Sequence, residues 1–200
     1  MTPSEFKEKW TKGEFLTVPL PRERTRELGL SASTVEFLAE SGLPEDAAPM
    51  LSFIADTPAA AEETIPLREQ LNFLGPAFDP YVLIGSDGDG NPIAINTAHQ
   101  DRVDWLDHED QFRAHYMNAS VESLSACLLA YRTFVETIIA ENGEDAYLDA
   151  HFSDAHFNTL KSQIQQADSL ALQQGFWKDE LETLHANRLV YRPKPWWKFW

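Results

Sequence analysis

The sequence predicts an α+β fold in which a small β-meander packs against helices. Residues 81–107 contain three short apolar segments separated by turn-forming residues, as expected for three antiparallel strands. Residues 121–142 repeat apolar side chains at steps of three and four, which is the spacing of one helix face. Residues 144–190 continue with helical patterns and predict a C-terminal helical extension. Strands followed by a block of helices are typical of α+β proteins.

The segment before the meander predicts less regular structure. Residues 1–30 contain scattered prolines and mixed charge, so we expect them to be mostly irregular. A helix follows in "SASTVEFLAESGLP", where Ser33 and Glu36 have the spacing of a capping box. The apolar run "PMLSFI" near residue 50 predicts a strand. Residues 55–66 are rich in alanine, acids and proline, which favours a surface connection.

The first turn of the meander lies in residues 81–97, which read "YVLIGSDGDGNPIAINT". A phosphate-binding P-loop needs a lysine and a hydroxyl residue after its last glycine, but Asn91 and Pro92 follow here. A dinucleotide fingerprint needs a helix at the place where this sequence predicts a strand. A calcium loop would use Asp87, Asp89 and Asn91, but Pro92 replaces its glycine and its bidentate glutamate is missing. The spacing therefore predicts a hairpin turn.

The second and third strands carry the apolar faces of the meander. Ile93 and Ile95 alternate along the second strand and share one face. The third strand reads "RVDWLD", and we expect Val103, Trp105 and Leu106 to point inward. These alternating positions predict a sheet that packs against the helices.

The long helix has recognisable ends. Asn118 or Ser120 is suited to cap its start, and Gly143 predicts a left-handed end. Cys127 lies inside the apolar helical pattern, so we expect it to be a buried core residue and not a nucleophile. The last ten residues, 191–200, form a basic aromatic tail that we predict folds back onto the domain. Partner binding, self-association and weak contact with a membrane interface are the alternatives for this tail.

Composition limits the classes of protein to consider. The net charge of −16 disfavours direct binding to nucleic acid or anionic membranes and favours a basic partner. The sequence contains no apolar run of about 18 residues and no signal-peptide pattern. We therefore expect a cytoplasmic protein without a transmembrane segment. We also expect one domain over residues 1–190, with a core at about 30–142 and the helical extension at about 144–190.

Motifs for catalysis are weak in this chain. It contains no HExxH, no CxxC and no G-x-S-x-G spacing, so we predict no catalytic residues, no metal ligands and no cofactor. The alternative is a metal-dependent enzyme that uses His99, His108 and His115, since these histidines lie near several aspartates around the meander. The sequence predicts a non-enzymatic binding protein.

Six short motifs follow one another between residues 30 and 185. They are "FLAESGLP" (37–44), "FLG" (73–75), "YVLIGSDGDGNPIAINT" (81–97), "RVDWLD" (102–107), "YMNASVESLSACLLAY" (116–131) and "DSLALQQGFWKDELETL" (168–184). This order resembles the SUKH superfamily, in particular its fourth immunity-protein group. Asp168 and Trp177 match an aspartate and a tryptophan in the C-terminal region of that group, and "NAS" (118–120) resembles its N-S-S start of the long helix.

The resemblance implies a fold and a function. The fold is a non-enzymatic α+β domain with a mixed sheet packed against helices. Members of the group are regarded as immunity proteins of bacterial polymorphic toxin systems. They bind and neutralise a cognate toxin domain, often a nuclease or a nucleic-acid deaminase, and they have no catalytic residues to transfer.

Charge and resemblance together predict a basic toxin domain as the partner, because an acidic inhibitor would be steered to it. We expect acidic residues on one edge of the meander to form the partner-binding patch. The candidates are Asp87, Asp89, Asp101, Asp104, Asp107, Glu109 and Asp110. The alternative is a scaffold or adaptor domain of the same fold whose aromatic tail contacts a partner or a membrane.

Overall fold

A computed structural model describes residues 1–12, 16–53 and 65–191, with side chains up to residue 188. In these ranges the helices are α1 (Pro3–Trp10), α2 (Arg22–Glu27), α3 (Ala32–Glu40), α4 (Leu67–Gln70), α5 (Val121–Asn142), α6 (Asp154–Ala167) and α7 (Phe176–Tyr191). The strands are β1 (Thr17–Val18), β2 (Leu43–Pro44), β3 (Asp46–Ala47), β4 (Leu51–Phe53), β5 (Tyr81–Asp87), β6 (Pro92–Asn96), β7 (Arg102–Asp107) and β8 (Arg113–Asn118).

Strands β3 to β8 form a six-stranded sheet in which sequence order and spatial order are the same. Every neighbouring pair in this sheet is antiparallel, so the predicted α+β fold with a central meander is confirmed. The predicted strand near residue 50 is β4, and it pairs with β5. Strand β8 adds an edge that the sequence analysis did not predict.

The prediction that residues 1–30 are mostly irregular is wrong. They contain α1 and α2, and β1 pairs with β2 in a separate two-stranded sheet. Pro3 is the first residue of α1, where a missing N–H costs nothing, and Thr2 with Glu5 forms a capping box. Pro21 similarly precedes the first residue of α2. These prolines mark helix starts and do not interrupt structure.

The cap of α3 also differs from the prediction. Ser33 lies inside the helix, and the capping residue is Ser31, whose Oγ accepts a hydrogen bond from the Thr34 backbone N–H at 3.4 Å. The predicted surface connection, residues 55–66, lies outside the described residues except for its last two. The predicted tail, residues 191–200, lies outside them except for Tyr191, the last residue of α7.

Both faces of the sheet are covered. Ile93, Ile95 and Val103 are fully buried in the main core, to which all the larger helices contribute. Leu106 points to the opposite face, where it joins a smaller apolar cluster that contains Tyr81 and Ala94. Trp105 packs against the main core and stays partly exposed. The predicted inward positions therefore divide between two apolar layers.

Helix α5 lies at the centre of the main core. Ser120 caps its start in a capping box with Ser123, and Gly143 ends it with a φ of +101° and an extended ψ of 169°. Cys127 is fully buried, as predicted, and burial raises the pKa of its thiol to about 12. By length and composition α5 would suffice to cross a membrane, but half of its most apolar window is buried in the domain, as in an ordinary core helix.

A buried carboxylate joins the C-terminal helices to the sheet. Asp168 Oδ2 accepts hydrogen bonds from the Tyr116 hydroxyl at 2.7 Å, the Ala119 N–H at 2.8 Å and Asn118 Nδ2 at 3.2 Å. Asn118 Oδ1 in turn accepts a hydrogen bond from Trp177 Nε1 at 2.8 Å. Burial and the neighbouring carboxylate raise the pKa of Tyr116. Asp168 and Trp177, which the resemblance singled out, thus meet through Asn118.

Close packing at Gly175 completes this connection. Gly175 has a φ of +74°, and a Cβ built on it would lie 1.9 Å from the Tyr116 carbonyl oxygen. A side chain at this position is therefore excluded by both conformation and space. The close contact between Gly175 and the Tyr116 backbone places Trp177, which is fully buried, beside α5.

We expect Asp168→Ala to lower the free energy of unfolding by about 2–4 kcal/mol, because it leaves several buried donors without an acceptor. Urea unfolding followed by circular dichroism measures this change. Asp149→Ala, at an exposed aspartate in the α5–α6 connection, is the matched control and should leave stability unchanged. Equal stability of the two variants would contradict the structural role of Asp168.

Candidate functional site

Two acidic turns lie together at one end of the six-stranded sheet. The β5–β6 turn and the β7–β8 turn share this end because alternate connections of a meander return to the same side. Asn91 joins them, since its Oδ1 accepts a hydrogen bond from the His108 N–H at 2.9 Å. We call residues 87–91 and 107–110 the acidic end.

Asp87 holds the first turn together. Its Oδ1 accepts hydrogen bonds from the Asp89 and Asn91 N–H groups at 3.0 and 2.9 Å. Its Oδ2 accepts from Asn91 Nδ2 at 2.9 Å and from Trp105 Nε1 at 2.7 Å. Burial raises the pKa of Asp87, but these hydrogen bonds together outweigh burial and bring its pKa below the usual range. The predicted hairpin turn is confirmed.

Asp107 has the same role in the second turn. Its Oδ1 accepts hydrogen bonds from the Glu109 N–H at 2.9 Å and the Asp110 N–H at 3.2 Å. Asp110 forms an ion pair with Arg113 at 3.0 Å. The side chains of Asp89 and Glu109 are exposed to solvent. The acidic end therefore presents the carboxylates of Asp89 and Glu109 to solvent, with Asp110 partly exposed, on turns that hydrogen bonds to Asp87 and Asp107 hold together.

Two of the seven candidates lie away from this end. Asp101 precedes β7 at the opposite end of the sheet, is 3% exposed, and accepts a hydrogen bond from the Ser31 N–H at 2.7 Å. Asp104 is 0% exposed and forms a bidentate ion pair with Arg102 at 2.7 and 2.9 Å. The structure thus brings five candidates together and places Asp101 and Asp104 in buried contacts. The alternation of "RVDWLD" places Asp104 and Val103 on opposite faces of the sheet. Asp104 is nevertheless buried, because both faces of the sheet are covered by apolar residues.

A cleft of about 500 Å³ separates the acidic end from α7, and we call it the α7 cleft. Asp87 and Asp89 lie on the sheet side, and Asp179 and Glu180 lie on the helix side. Met50 and Leu148 flank it with apolar side chains that are 78% and 75% exposed.

Glu180 is the half-buried carboxylate of this cleft, and the sequence analysis did not single it out. Its Oε1 accepts a hydrogen bond from the Tyr131 hydroxyl at 2.5 Å, and the Tyr131 and Tyr147 hydroxyls are 3.0 Å apart. Burial raises the pKa of Glu180, while the bond from Tyr131 acts in the opposite direction. Phe176, Glu180 and Leu184 are four residues apart and therefore share one face of a helix. This spacing could have indicated Glu180, but the same spacing is found on the apolar face of any helix that packs against a core.

The three histidines of the metal hypothesis are separated. His108 Nδ1 lies 2.6 Å from Asn91 Oδ1, and the His115 ring packs 5.3 Å from the Trp105 ring. His99 lies in the β6–β7 connection, at the opposite end of the sheet. Within the part of the chain that the structure describes, no three histidine, cysteine or acidic residues converge as a metal site would require.

We expect Asp87→Asn to destabilise the protein at neutral pH and to do so less as the pH falls. A carboxylate with a lowered pKa stabilises the folded state above its unfolded pKa and loses that contribution as it protonates. The difference in unfolding free energy between wild type and variant should therefore be constant above about pH 5 and shrink below about pH 4. Urea titrations at pH values from about 7 down to about 3 measure it, and a difference that does not depend on pH would contradict the assignment.

Comparison with known proteins identifies the family of this chain. The chain matches the family model described as SUKH-4 immunity protein over residues 5–183. No curated protein and no solved structure matches the chain significantly. The matched region spans the six-stranded sheet, helix α5, the contacts of Asp168 and Trp177, and most of the α7 cleft. This match over most of the chain confirms the resemblance: the protein belongs to the SUKH-4 immunity protein family.

Proposed function

We propose that the protein is a non-enzymatic immunity protein that binds and neutralises a cognate toxin domain of a bacterial polymorphic toxin system. The observation that carries this proposal is the family match over residues 5–183. The fully buried Cys127, whose pKa is raised to about 12, gives no support to a thiolate nucleophile. In this proposal the immunity protein acts in the cytoplasm, where a toxin that attacks nucleic acid would act.

Electrostatics supports a basic partner of the nuclease or nucleic-acid deaminase class. Such a toxin must hold phosphates and therefore tends to carry a positive surface. A chain with a net charge of −16 attracts that surface over a distance and accelerates the encounter. Like charge also disfavours direct binding of this chain to nucleic acid.

The acidic end is our proposed contact surface. Asp89 and Glu109 are exposed, and Asp87, Asp107 and Asp110 keep their turns in one arrangement. A rigid surface loses little conformational freedom on binding, which favours affinity. Asp101 and Asp104 support this surface only indirectly, by holding β7 against its neighbours.

Co-expression tests the proposed function. A toxin domain encoded beside this gene should stop growth when expressed alone, and the full chain should restore growth while forming a stoichiometric complex with it. A chain without residues 192–200 should protect equally well, whereas the adaptor hypothesis predicts that this deletion abolishes binding. Continued toxicity with the full chain at equal expression would contradict the immunity proposal.

Reversing charge at the acidic end tests the proposed surface. The variant Asp89→Lys/Glu109→Lys should bind the toxin domain at least about tenfold more weakly, with a smaller dependence on salt. Glu8→Lys/Glu23→Lys makes the same change in net charge at exposed positions of α1 and α2. Titration calorimetry at several salt concentrations compares them. Equal losses in both variants would show that overall charge, and not the acidic end, determines binding.

A further inference from the structure

The lining of the α7 cleft indicates which group of the partner binds there. This inference rests on the proposed function and makes it more specific. Among the residues that the structure describes, fourteen line the cleft, of which four are acidic and none is lysine, arginine or histidine. Lys178, a base of α7 outside this lining, pairs with Asp179 at 3.4 Å and Glu182 at 3.1 Å. The electrostatic potential of the cleft therefore favours a cation.

We propose that the α7 cleft receives an arginine side chain of the toxin domain. The guanidinium group binds the Glu180 carboxylate, and the aliphatic stem lies between Met50 and Leu148. The cleft is then the point at which the partner is recognised, while the acidic end accelerates the encounter.

The geometry of Glu180 supports a cationic ligand. Tyr131 donates its one hydroxyl proton to Glu180 Oε1, so Tyr147 is the donor in the contact between the two tyrosines. The bond from Tyr131 holds the Oε1 atom of the carboxylate. Its second oxygen, Oε2, has no hydrogen-bond partner among the described residues. Burial raises the pKa of Glu180, which means that its surroundings stabilise the anion poorly. An incoming guanidinium supplies the missing opposite charge.

The apolar lining supports arginine over a small inorganic cation. The rings of Trp105 and Phe176 are 6.4 Å apart and lie along the cleft, where a planar guanidinium stacks well. Met50 and Leu148 also line the cleft and are largely exposed. Exposed apolar side chains around a charged centre match a ligand that has a hydrocarbon stem and a cationic head.

A small-molecule probe tests the cleft without the toxin. We would titrate n-butylguanidinium into the 15N-labelled full chain and follow the Trp105 indole and Leu148 amide signals. N-butylurea has nearly the same shape without the charge and serves as the matched probe. We expect saturable shifts at both signals with n-butylguanidinium and at least about fivefold weaker binding of N-butylurea. Glu180→Gln, which keeps an acceptor for Tyr131, should weaken n-butylguanidinium to the level of N-butylurea.

Three results of this titration would overturn the proposal. The first is equal binding of the two probes, and the second is unchanged binding to Glu180→Gln. The third is a set of shifts spread over acidic residues outside the cleft, which would indicate unspecific cation binding. A preference for n-butylammonium over n-butylguanidinium would overturn the choice of arginine.

The toxin domain provides the second test. Leu148→Arg places a charge at the mouth of the cleft and should weaken toxin binding at least about tenfold. Leu16→Arg makes the same substitution at another exposed leucine, 66% exposed beside β1, and should leave affinity unchanged within about twofold. If wild type binds and both variants bind equally well, the cleft proposal fails and the immunity function stands. If wild type does not bind, the immunity function fails, and the probe titration still decides whether the cleft accepts a guanidinium.

Discussion

The hydrogen bonds of the buried Asp168 carboxylate are the interaction on which the rest of the structure depends. They reach the edge strand β8, the start of α5 and, through Asn118, the indole of Trp177. A buried carboxylate is unfavourable unless donors surround it, so its partners can occupy few other arrangements. These hydrogen bonds therefore fix the C-terminal helices to the sheet beside the main apolar core.

The α7 cleft follows from this attachment. Trp177 anchors the first turn of α7, and the next turn places Glu180 over Tyr131 of α5. The opposite wall is the β5–β6 turn, which Asp87 holds in place through Trp105. Two separate hydrogen-bond networks thus determine the width of one cleft. Rigid walls of this kind suit a binding protein, because little ordering is required when the partner arrives.

Local patterns predicted the parts of the fold that local physics determines. The hairpin at Asp87, the alternation of Ile93 and Ile95, and the cap at Ser120 all depend on residues close in sequence. Strand β8 was missed because its first two residues, Arg113 and Ala114, are exposed and only its last two are buried, which hides the apolar alternation of a strand. The contact of Tyr131 with Glu180 spans 49 residues, and no short pattern indicates it. The site was therefore only half predictable: the acidic turns were visible in sequence, and the facing helix was not.

Hydrogen–deuterium exchange of the full chain, free and bound to the toxin domain encoded beside it, tests the central claim that the acidic end and the α7 cleft form the contact surface. The account predicts slower exchange in residues 87–91, 107–110, 144–150 and 176–187 of the complex, with no change in α1, α2 or α3. Protection confined to those three helices, with unchanged exchange around the cleft, would contradict it.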